Sequence, residues 1–186
     1  MPRDKDAVAR ELLALRCRRG DRAALEDLIR TWEPRLLYFL RRLVSNEADA
    51  WDVLQETWVR VLNGIGSLSD PKSLTPWLYR VARNTALSHV RSREPPHESL
   101  RDYPDVCADE PDGGPLELED AEQVHRGLVS LSLPHREVLT LFFLENLSVE
   151  EIAAALEIPP GTVKSRLHYA RRSLHKVIAG EASRHD

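Results

Sequence analysis

Apolar positions recur at three- and four-residue steps along most of this 186-residue chain and hardly anywhere in alternation. That period predicts one helix after another, and no hairpin signal joins alternating apolar stretches, so the fold class is all-α. Val8, Leu12 and Leu15 fall on one face of a first helix closed by Gly20, and Asp21 stands where it can cap a second. Leu25, Leu28, Ile29 and Trp32 line one side of that second helix, and Pro34 predicts a break or kink in it. Leu36, Leu37, Phe39, Leu40 and Leu43 carry the apolar side on to Ser45. From Glu47 to Asn63 the positions Trp51, Leu54, Trp58, Val61 and Leu62 align, with Gly64 and Gly66 as terminators. After a polar loop, Leu74 to Arg93 predicts another helix with Leu78, Val81, Ala82 and Thr85 inward.

Between about Glu94 and Pro115 the periodicity stops. Five prolines and the pair Gly113 and Gly114 interrupt that stretch, so it predicts an extended linker, 94–115, between a first domain, 1–93, and a second, 116–180, with a short tail, 181–186. The second domain opens with an apolar segment from Leu118 to Leu128. Pro134 suits the first turn of the next helix, with Val138, Leu141, Phe142 and Leu144 apolar and Asn146 as a left-handed terminator. Ser148 and Glu151 then stand at capping-box spacing, starting a short helix with Ile152, Ala155 and Leu156 buried. Glu157-Ile158-Pro159 forms a tight turn, and Pro160 opens a final helix in which Val163, Leu167, Ala170, Leu174 and Val177 make one stripe. Two small helical domains, the second a helix-turn-helix, follow from the pattern alone.

Composition changes the picture only once charge is divided along the chain. The net charge is -4, yet Glu94 to Glu122 holds eleven carboxylates against Arg101 alone, which leaves the remainder at +6. The last helix concentrates this excess. Lys164, Arg166, Arg171, Arg172 and Lys176 lie between Gly161 and Gly180 with no acid among them. At 100° per residue Ser165, His168 and Arg172 point away from the stripe, with Lys164 and Arg171 on one flank and Thr162 and Arg166 on the other. Such a helix after a capped helix and a tight turn fits the major groove of DNA; the plainer alternative is a solvated basic face. No paired carboxylates, nucleophile with base or phosphate loop appears, and the seven histidines are scattered, so neither an enzyme nor a metal or cofactor is expected. Cys17 and Cys107, far apart and without CxxC spacing, read as free thiols. No signal peptide or membrane-length apolar run is evident, so a cytoplasmic protein is expected.

Leu133-Pro134-His135-Arg136-Glu137-Val138-Leu139, Leu147-Ser148-Val149-Glu150-Glu151-Ile152-Ala153 and Gly161-Thr162-Val163-Lys164-Ser165-Arg166-Leu167 closely resemble region 4 of bacterial extracytoplasmic-function sigma factors. LuxR-type regulators, which bind operators without being polymerase subunits, share much of that motif and are the alternative. The first domain discriminates. Asp49-Ala50-Trp51-Asp52-Val53-Leu54-Gln55-Glu56-Thr57-Trp58 resembles region 2.2 of the sigma-70 family, and Pro76-Trp77-Leu78-Tyr79-Arg80-Val81-Ala82-Arg83-Asn84 resembles its regions 2.3 and 2.4.

The resemblance implies a chain that binds core RNA polymerase and promoter DNA. Asp49, Asp52, Gln55 and Glu56 would meet the clamp helices of the β′ subunit, and the second domain the β flap. Thr162, Lys164, Ser165, Arg166, His168, Arg171 and Arg172 would read a −35 element. Trp77, Arg80, Arg83 and Asn84, with the loop residues Ser69, Asp70 and Lys72, would read and melt a −10 element, arginines holding phosphates and an aromatic ring stacking an unpaired base. Trp77 serves equally well as core. An anti-sigma factor is a common partner in the family, and the acidic linker takes the place of region 3. Three positions depart from the family pattern: Trp51 replaces a usual charge, although its spacing with Leu54 suggests it faces inward; Ser88 replaces a common aspartate; and Glu157 stands where glycine is frequent, which strains the turn if its φ is positive.

Overall fold

The computed structural model describes residues 3–93 and 127–182, so the acidic linker, Cys107, and most of the segment expected from Leu118 lie outside the described residues. The chain divides into two compact units. Among the described residues both are helical and neither contains a strand.

The first unit holds α1 (Arg3–Arg18), α2 (Arg22–Leu40), α3 (Glu47–Gly64) and α4 (Leu74–Arg93), with 3-10 turns at Ile65–Ser67 and Pro71–Ser73 between the last two. Gly20 closes α1 at φ +77, and its N–H donates to the Cys17 carbonyl at 2.9 Å while that of Asp21 reaches Arg16 at 3.2 Å. Asp21 then caps α2, accepting from the Ala24 N–H at 3.1 Å and from Arg16 Nε at 2.8 Å. The Arg16 hydrogen bond, followed by that of Ala24, holds the Asp21 carboxyl below its ordinary range. The core centres on Tyr79, whose ring meets Trp32 edge-on at 6.0 Å and Phe39 at 5.2 Å, all three fully buried.

Two expectations are amended here. Pro34 does not break α2, which runs on through it. A mid-helix proline costs about 3 kcal/mol, but Leu28, Trp32, Leu36, Phe39 and Leu40 are all completely buried by the continuous helix, at roughly 1.5–3 kcal/mol each. In α1 the spacing identifies a helix but the wrong face: Val8, Leu12 and Leu15 are 61, 57 and 40% exposed, whereas Ala14 and Cys17 are buried. The small side chains pack inward because they let the helix approach its neighbours closely, and burial pushes the Cys17 thiol up, away from reactivity.

In the second unit the helical residues 127–129 and the turn after them are tied to α5 (Leu133–Leu139) by Arg136, which donates to the carbonyls of Leu128, Val129 and Leu131 at 3.0, 2.8 and 2.8 Å. Pro134 occupies the first turn of α5, as its ring suits. Beyond Leu139 the helix widens into a π turn, Thr140–Leu144, marked by the Glu145 N–H donating to the Thr140 carbonyl at 3.2 Å. Leu144, at the end of this turn, is 38% exposed. Asn146 ends the turn in the left-handed region at φ 54, as expected. α6 (Val149–Leu156) and α7 (Pro160–Ala182) follow, and α7 packs on α5. α7 extends two residues past the expected domain end at 180.

No described helix is long and apolar enough to cross a membrane. Among the described residues no group of three or more His, Cys, Asp or Glu is arranged to hold a metal ion.

Candidate nucleic-acid interface

α6 and α7 are held in register by three local devices. Ser148 and Glu151 form the reciprocal capping box: the Ser148 N–H donates to Glu151 Oε2 at 2.8 Å and the Glu151 N–H to Ser148 Oγ at 3.1 Å. Glu157 takes φ 57, and the Ile158 N–H returns to the Ala153 carbonyl at 3.2 Å, closing α6 within a single residue. Val163, Leu167, Ala170 and Leu174 then bury one stripe of α7. The opposite side is free of acid: Lys164, Tyr169, Arg172, His175 and Lys176 are exposed, with Thr162, Ser165, Arg166 and His168 half-buried beside them. Ser165 donates to the Thr162 carbonyl at 3.0 Å, which fixes its hydroxyl on the helix flank. Tyr169, edge-on to His168 at 5.3 Å, belongs to this face and was not among the expected contacts, because a search for charge passes over an aromatic side chain.

Arg171 departs from the group. Its guanidinium lies over the rings of Phe142 and Phe143, 5.2 and 5.1 Å from their centroids, and turns inward to the π turn. Near the other end, burial lowers the pKa of the half-buried His135, and the charge of Arg166 lowers it further.

In the first unit α4 carries the second basic face. No acid lies between Leu74 and Arg93; Asn84 and Arg91 are exposed, and Arg80 and Arg83 half-buried, while Leu78, Ala82 and Thr85 face the core and Val81 sits at the boundary. Trp77 is half-buried. A Cβ on Gly64 would come within 3.2 Å of its ring, so the bare glycine seats one edge of the indole and the remainder stays accessible. Core and platform are therefore compatible roles for this tryptophan. Ahead of α4, Ser69, Asp70 and Lys72 are exposed, but Asp70 is already engaged: it accepts from the Lys72 N–H at 3.0 Å and from Ser73 Oγ at 3.4 Å, capping the 3-10 turn at Pro71.

The outward side of α3 presents Asp52, Gln55 and Glu56, the last paired with Arg60 at 2.6 Å in a largely exposed bridge of little energetic weight. Asp49 does not join them. It is only 14% exposed, ion-paired with Arg93 of α4, and 3.4 Å from His89 Nε2. Asn46 Nδ2 also donates to it at 2.8 Å. Burial opposes its ionisation, but the Arg93 ion pair, with His89 close by and the Asn46 hydrogen bond, prevails and keeps the carboxyl below its ordinary range. Trp51 also departs from expectation, at 41% exposure, and with Val59 and Leu62 forms an apolar strip through the acidic face.

A basic helix on a closed helix-turn-helix, a second basic helix with a seated indole, and an acidic-apolar helix are divided between two compact units. Residues 28–95 match the sigma-70 region 2 family and residues 121–174 the sigma-70 region 4 family. RNA polymerase sigma-H factor of Pseudomonas aeruginosa is 31% identical over 177 residues, covering 89% of this chain and 92% of that one. The chain belongs to the extracytoplasmic-function group of sigma-70 factors. It is thus an RNA polymerase sigma factor acting in transcription initiation. The sigma factor SigW of Bacillus subtilis is 29% identical, covering 87% of this chain and 92% of its own length. Among solved structures, CnrH in complex with the cytosolic domain of CnrY matches at 25% identity and a TM-score of 0.68, over 92% of this chain and 98% of that chain. The sigma factor RpoE of Bartonella quintana, in complex with the anti-sigma factor NepR, matches at 26% identity and 0.64, over 83 and 96%. The region 2 match sets aside the operator-binding alternative, since it covers residues 28–95, which a LuxR-type motif does not address.

Proposed function

We propose that this sigma factor grips its promoter at two points. α7 reads the −35 element in the major groove through Thr162, Lys164, Ser165, Arg166, His168, Tyr169 and Arg172, while α4 and the preceding loop read and melt the −10 element through Ser69, Lys72, Trp77, Arg80, Arg83 and Asn84. Extracting a base from the stack costs a few kcal/mol, which an aromatic platform and edge hydrogen bonds can offset. The outward face of α3, with Asp52, Gln55 and Glu56, docks on a basic surface of core polymerase, for which the β′ clamp helices are the candidate, and the second unit meets the β flap. Asp49 supports that face from within by tying α3 to α4. The domains run 1–93 and 116–180, and the acidic linker enters the polymerase's basic channels. A cytoplasmic, non-enzymatic subunit is the consistent reading. Since CnrH and the Bartonella RpoE were solved with CnrY and an anti-sigma factor respectively, an anti-sigma partner is proposed here too.

The observation that carries this reading is the pairing of two basic faces in separate modules, one on α4, which holds no acid, and one on α7, which holds none between Gly161 and Gly180. Its test is selection of genomic fragments by core polymerase plus the purified chain. Recovered fragments should share two sequence blocks at a constant separation; a single shared block, or no recovery above core alone, would contradict it.

A further inference from the structure

We propose that Arg171 is a positioning residue, which locks α7 to the π turn of Thr140–Leu144 through two aromatic faces, and not one of the helix's phosphate contacts. The inference rests on α7 being the −35 reader and concerns how that reader is held.

Neighbouring side chains on an α-helix project about 100° apart, so Phe142 and Phe143 could not both address one group from regular helix. The i to i+5 bond from Glu145 to Thr140 widens the turn, and both rings then approach the same guanidinium, at 5.2 and 5.1 Å. The rings themselves meet edge-to-face at 5.0 Å and 80°. A cation over aromatic faces is held by their quadrupoles, and three groups that touch one another hold better than any pair. Arg171 Nε is buried without a hydrogen-bond partner, as fits a side chain held against rings. On α7 it stands roughly 120° around the axis from Ser165, off the exposed face, and about 10 Å along the helix from Lys164. A lock at that distance governs the angle at which the N-terminal half of α7 meets base edges.

The cations left for DNA are Lys164, Arg166, Arg172 and Lys176. The test measures the affinity of the reconstituted holoenzyme for a promoter duplex across a potassium chloride series. Arg171→Met should weaken binding about tenfold with the log–log salt slope unchanged, whereas Lys164→Ala should lower the slope by about 0.9. Arg171→Lys, which retains charge, should remain weakened. The double variant Phe142→Leu, Phe143→Leu should reproduce the loss, and adding Arg171→Met to it should cost nothing further. A slope lowered by about 0.9 in Arg171→Met, full affinity in Arg171→Lys, unchanged affinity in folded Arg171→Met, or additive losses would each overturn the proposal. Salt-insensitive binding by the unsubstituted chain would instead sink the reading of α7 itself.

Discussion

The two helices proposed to meet DNA, α4 and α7, are built differently into their own units. α7 packs along one stripe, so between Gly161 and Gly180 its sequence separates into that apolar stripe and a remainder whose only fixed charges are basic. α4 is enclosed by α1, α2 and α3, so its functional residues share space with the core: Tyr79 is fully buried between Trp77 and Arg80, and Trp77 is itself half seated. A reading helix that stands out from its domain can be altered with little structural damage. One that forms part of the core cannot. The difference suggests that changes in the two helices will fail in different ways.

The largest expected effect is on that contrast itself. Lys164→Glu with Arg166→Glu should reduce affinity for the −35 duplex roughly a hundredfold or more, given about 1–3 kcal/mol per lost base contact plus the lost phosphate attraction, with a melting temperature close to that of the unsubstituted chain. Arg83→Ala with Asn84→Ala should leave closed-complex binding nearly intact and suppress permanganate reactivity of −10 thymines. Opening at a normal level would remove α4 from the melting step.

The acids of α3 sharpen the comparison next. Asp49→Asn should lower thermal stability, because it leaves Arg93 and His89 without their shared carboxylate, whereas Asp52→Asn should reduce core-polymerase affinity at unchanged stability. The opposite assignment would return Asp49 to the interface.

The two units should also differ in pH response. His135 has a folded pKa below its ordinary 6.5, so the unfolded state binds more protons as pH falls through that value, and stability of the second unit declines there. The depressed carboxyls of Asp21 and Asp49 place the first unit's loss lower, as pH falls through the carboxylate range near 3.8. His135→Gln should flatten the decline near pH 6.5 in a thermal-shift series.

The smallest effect tests the turn. Glu157 is left-handed, which costs a non-glycine residue about 1 kcal/mol, so Glu157→Gly should raise the melting temperature slightly; a lower one would count against strain at that residue.

How far the sequence foretold this structure depended on whether the decisive neighbour was close in the chain. The capping box at Ser148, the left-handed Asn146 and the stripe of α7 are made within a few residues and were legible. Asp49 was not, because Arg93, 44 residues away, turns it inward. Arg171 looked like one more basic residue because charge counting cannot anticipate a π turn that aims two phenylalanines at it. α1 misled for a different reason: pattern reading weighs large apolar side chains, and here Ala14 and Cys17 were the buried ones.

The central claim is that one chain supplies both promoter contacts to the polymerase, each weak alone and effective when held at a fixed separation. Its most direct measurement is run-off transcription from a selected promoter fragment by core polymerase lacking sigma, with and without the purified chain. The account predicts a transcript of single defined start that disappears with either the α4 or the α7 substitutions. Undiminished initiation by either variant, or no core binding by the unsubstituted chain, would contradict it.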